Sequence, residues 1–127
     1  MEKKIQKSKI PKREPLSDKI KDSKLKEIFL FLTSKKIINE DKISLNGDLE
    51  ANIRQDIEES IKDKYNTLNE RFSEIRKSGK DLGVLNFKLM MLPLKIKVFL
   101  STYEKKDAEN IVKRIEDIEK EISFIKK

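Results

Sequence analysis

Residues 85 to 103, LNFKLMMLPLKIKVFLSTY, constrain the fold more than any other stretch, because large apolar side chains are nowhere else so closely spaced. Leu85, Leu89, Leu92, Ile96, Phe99 and Tyr103 recur at intervals of three or four residues, which lines up one apolar stripe on a helix. Met91, Leu94 and Val98 form a second stripe. Two stripes predict a central helix, 85–103, covered by neighbours on more than one side. Pro93 has no amide hydrogen, and its ring crowds the carbonyl of Leu89, so a kink or a fresh helix start is predicted there. A strand competes, since Leu94, Ile96, Val98 and Leu100 alternate with Lys95, Lys97 and Phe99. Helix is preferred because both flanking segments are strongly helical and a strand here would lack an evident partner.

The clearest of those segments runs from Leu49 to Ser78. Leu49, Ile53, Ile57, Ile61, Tyr65, Leu68, Phe72 and Ile75 recur every three or four residues, with charges on the other faces. Asn46-Gly47-Asp48 precedes it as a turn, in which Gly47 is free to take positive φ and Asp48 can cap the helix, giving a long helix over 48–78. As a calcium loop this turn fails, because Lys42 and Ile53 fall where carboxylates are required. Ser78-Gly79 closes the helix. Ile111, Ile115, Ile118, Ile122 and Ile125 give a narrow seam on a last helix, 107–126, with Asp107 as its expected cap. Upstream, Leu25, Ile28, Phe29 and Leu32 mark an amphipathic helix between Asp18 and Lys36, and residues 36–45 read as a small hairpin.

The prediction is an all-α antiparallel bundle of three to four helices, one domain over 18–127, behind a disordered basic arm over 1–17. With 127 residues the chain can bury a modest core, and its 42% charged residues suit helices with solvated outer faces. The formal charge of +7 is uneven. Residues 1 to 26 hold ten Lys or Arg against four Asp or Glu, and residues 27 to 127 hold twenty against nineteen, so the basic character belongs to the arm. An AT-rich coding sequence would also produce 25 Lys to 5 Arg, without any selection for binding.

The chemistry available is narrow. His and Cys are both absent, which removes the commonest general base, the commonest metal ligands and any disulfide. Gly47, Gly79 and Gly83 fit no phosphate-binding loop. No catalytic residue, cofactor or metal site is predicted. The longest uncharged apolar run, Leu89 to Leu94, is far below the roughly 20 residues that span a bilayer, and no signal peptide is evident, so a cytoplasmic location is expected.

Two function classes remain. The preferred one is a protein-protein interaction or scaffold protein, with a protein partner or a second copy docked on the long and last helices through Ile53, Ile57, Ile61, Ile111 and Ile118. Its competitor within the fold is the first helix, which could cover the same surface. The alternative class is a nucleic-acid binder, with Lys3, Lys4, Lys7, Lys9, Lys12 and Arg13 of the arm, and Lys88 and Lys95 on a Lys-rich face over 80–106, as phosphate contacts. Arg is scarce and the aromatics fall mostly on apolar stripes, which weighs against RNA.

Overall fold

A computed structural model describes residues 16–77 and 82–125. Four helices follow in order: α1 Ser23–Ser34, α2 Leu49–Arg76, α3 Gly83–Thr102 and α4 Lys105–Ile125. None of the described residues forms a strand. The bundle is the predicted all-α class, and α3 runs unbroken through Pro93. The expected C-cap at Gly79 lies outside the described residues, as does most of the arm over 1–17. Leu16, assigned to that arm, is instead fully buried in a short 3₁₀ turn, Leu16–Lys19.

Local chemistry sets the ends of the helices. The Asp48 carboxylate accepts the Ala51 N–H at 3.2 Å, and Gly47 takes φ +77°, as the turn requires. α1 begins on Asp22, which accepts the N–H groups of Lys24 and Leu25 at 3.0 and 3.3 Å. Those bonds hold the Asp22 carboxyl below its ordinary pKa, that of Leu25 most strongly, with Arg54 adding to them. α1 ends when Lys36 turns left-handed (φ 61°); the Ile37 N–H reaches the Leu32 carbonyl and the Lys36 N–H that of Thr33, both at 3.0 Å. α4 starts two residues before the expected cap. The Glu104 carbonyl accepts from Asp107 and Ala108, while the Asp107 carboxylate accepts from the Thr102 hydroxyl at 2.6 Å.

Residues 36–45 are not a hairpin. Asn39 caps a 3₁₀ turn, Glu40–Lys42, by accepting the Asp41 N–H at 3.0 Å, and Ile38 and Ile43 on either side are buried. The apolar residues on either side of the turn therefore anchor a loop, which Asn39 caps locally. This loop also holds the start of the described chain, since the Glu40 carboxylate accepts the Leu16 N–H at 2.6 Å.

The helices are not arranged around α3. α2 and α4 each pack on all three other helices, and α3 packs on α4 and α2 with no comparable contact to α1. α1 is fastened to the start of α2: Glu50 accepts the N–H groups of Lys21 and Asp22 at 2.6 and 3.3 Å, and Arg54 donates to Asp22 at 3.1 Å. The centre of the molecule is the α2–α4 pair, with α1 and α3 as its two flanks.

Candidate interaction surface

α3 is apolar on both of its faces, and only one is covered. Leu85, Leu89, Leu92, Ile96 and Phe99 point at α2 and α4 and are buried. At the end of this row Tyr103 takes φ 49°, stacks on Phe99 with ring centroids 4.9 Å apart, and donates its hydroxyl to the Arg54 carbonyl at 3.4 Å. On the opposite side Val84, Phe87, Met90, Leu94 and Val98 are 50 to 69% exposed, with Met91 half-buried between them. Val84, Phe87, Met91, Leu94 and Val98 are spaced three, four, three and four apart, the repeat of a helix seam. At 1.5 Å per residue this row is about 21 Å long.

A mixed-charge rim borders the row where α3 meets α4. The Lys88 ammonium lies 2.8 Å from both Asp117 and Glu121, and its side chain is only 18% exposed. Arg114 approaches Asp117 at 3.9 Å. Seven residues further along, Lys95 forms no ion pair among the described residues; it lines a groove with Met91, Leu94, Val98, Asp107 and Asn110. A second groove lies at the other end of the row, between Val84 of α3 and Glu121 and Phe124 of α4. On the α2 side, Lys97 borders a third groove with Tyr65, Pro93 and Leu100.

The five isoleucines expected to dock a partner are elsewhere. Ile53, Ile57, Ile61, Ile111 and Ile118 are at most 1% exposed, covered by neighbouring helices of the same chain. α1 and α3 both pack on the α2–α4 pair, so these residues belong to the interior and offer no surface in this fold. Of the proposed phosphate contacts, Lys88 is engaged by two carboxylates and Lys95 stands beside the apolar row. Lys3, Lys4, Lys7, Lys9, Lys12, Arg13 and Lys80 lie outside the described residues. Sequence reasoning missed Val84, Phe87 and Met90. The signal that could have found them is that α3 has more apolar circumference than two neighbours can cover.

A second feature is polar. One carboxylate oxygen of Asp56 is buried and meets no hydrogen-bond donor among the described residues, in a groove bordered by Asn39, Lys42, Ser60 and Asp63. Burial pushes the Asp56 carboxyl above its ordinary pKa, with Glu59 adding to the shift and Lys42 and Ser60 opposing it. Among the described residues no three Asp or Glu side chains converge to hold a metal ion, and no helix is long and apolar enough to cross a membrane. Comparison with protein-family models, curated proteins and solved structures finds no match to this chain.

Proposed function

We propose that this protein is a non-enzymatic interaction or scaffold protein of the cytoplasm that docks a protein partner on the outward face of α3. The observation that carries this is the row Val84, Phe87, Leu94 and Val98, exposed on the side of α3 away from its neighbours, with Met91 half-buried among them. Isolated surface leucines need no explanation, whereas a contiguous apolar row rimmed by charges is the usual mark of a docking surface. The absence of His and Cys supports a non-catalytic role, and a chain without disulfides suits a reducing compartment.

The test is capture from native cell extract by the wild-type chain and by Phe87→Glu, each with and without nuclease. A protein retained by the wild type after nuclease and lost by Phe87→Glu, with the helical circular dichroism of the variant unchanged, is the expected result. Capture indifferent to Phe87→Glu would overturn the assignment. Capture that nuclease abolishes would replace it with nucleic-acid binding.

A further inference from the structure

We propose that residues 37–46 form a strap that opens off α2 and is latched shut by a proton on the Asp56 carboxyl. The strap leaves α1 at Lys36 and joins α2 through Gly47, both left-handed (φ 61° and 77°), so its two ends are turns on which the segment can swing. Two kinds of anchor hold it down. Ile38 and Ile43 are buried, and the Asn52 side-chain amide donates to the Ser44 and Asn46 carbonyls at 2.9 and 2.7 Å.

Between Ile38 and the Asn52 clamp the strap crosses α2 at Asp56, and there the fastening is poor. Asp56 and Lys42 are the two residues that border both a groove of about 380 Å³, on the side of Asn39 and Asp63, and one of about 170 Å³, on the side of Ser44 and Asn52. One Asp56 oxygen is covered at this crossing and meets no donor among the described residues. Burial works against its charge and so does Glu59, while Lys42 and Ser60 favour it; Lys42 closes no ion pair among the described residues. Lys36, Asp63 and Lys64 also line the larger groove, with Lys64 turned to Glu119 at 3.4 Å. A covered carboxylate without a donor opposes closure while it is charged, and opening gives it water. Burial accordingly raises the Asp56 pKa above its ordinary 3.8. A carboxyl raised in this way favours the closed form in full below the ordinary value, and the contribution fades as pH rises through the closed-state one. The latch also has an output. Glu40, on the strap, accepts the Leu16 N–H at 2.6 Å, so opening releases the buried start of the described chain.

Amide hydrogen exchange of the full chain, followed by NMR and corrected for its intrinsic pH dependence, tests this. The Lys42 and Ile43 N–H groups, which donate to the Asn39 and Glu40 carbonyls at 3.1 and 3.2 Å, report the strap. In the wild type at about pH 7 they should exchange well ahead of the Ile53 and Ile57 amides of α2. Asp56→Asn should raise their protection, and that of the Leu16 amide, by about tenfold or more, within the range that a buried unsatisfied group costs. The gap between the two chains should close toward about pH 4. Lys42→Met should loosen the strap in the wild type at about pH 7 and leave Asp56→Asn unchanged. Strap amides that exchange no faster than those of α2 would overturn the proposal. So would equal protection in Asp56→Asn, a gap that does not change with pH, or Lys42→Met loosening both chains alike.

Discussion

Lys88 looks from its spacing like a surface lysine on a polar strip, and the structure makes it the clasp between α3 and α4. Its hydrogen bond to Asp117, followed by that to Glu121, raises the pKa of its ammonium above the ordinary 10.5, against a smaller opposing effect of burial. A basic group whose folded pKa exceeds its unfolded value contributes its full stabilisation below the unfolded value and loses it as pH rises through the folded one. Lys88→Met is therefore expected to lower the urea midpoint near neutral pH, and the gap from wild type should narrow once the pH passes about 10.5. Lys95→Met, at a side chain without an ion pair among the described residues, serves as the control with little change. A gap at Lys88 that is absent at neutral pH, or that persists unchanged in strong base, would show that the two carboxylates contribute nothing.

At the scale of the element, α3 carries two apolar stripes with opposite fates. Phe99→Ala, at a fully buried position, should cost about 3 to 5 kcal/mol, and Leu92→Ala about 2 to 5 kcal/mol. Leu94→Ala, on the exposed row, should fall within about 0.5 kcal/mol of wild type. Equal losses at Leu92 and Leu94 in a denaturant titration would mean that both faces are covered in solution. The buried rows of all four helices were legible in the sequence, because a repeat of three and four residues fixes which side chains share a face. Which face of α3 would be covered was not. Periodicity counts apolar positions but is silent about how many neighbours a helix has, and here α1 spends its apolar face on α2 and α4. Ile38 and Ile43 misled for a related reason: apolar residues on either side of a polar turn read as a hairpin, and here they anchor a capped turn.

For the molecule as a whole, Ile57 sits fully buried in α2, the long helix that together with α4 touches every other helix. Ile57→Glu would place an unpaired carboxylate there, a cost of several kcal/mol against a total stability of roughly 5 to 15 kcal/mol for a domain of this kind. Loss of the helical signal throughout the chain is the expected outcome. A variant that keeps its helicity and merely loses a partner would place Ile57 at an interface and not in the core. The candidate surface was the less legible part, since it follows from the arrangement of helices and not from any motif.

Pro93 lies in the middle of α3, where it leaves the Leu89 carbonyl without its usual helical donor. Its consequence lies outside the folded state. The residues that follow, LKIKVFL, alternate like a strand and form an aggregation-prone window while the chain is unfolded. Upstream of them, LMML would extend that window to eleven residues or more if every amide could pair. Proline has no hydrogen to give to a neighbouring strand, so it divides the apolar run in two, and Lys95 and Lys97 burden the second half with charge. A helix tolerates this gap at the cost of one bond, whereas a growing sheet meets it in every molecule that joins. The residue that weakens α3 within the bundle thus acts as a gatekeeper against its misassembly as fibre.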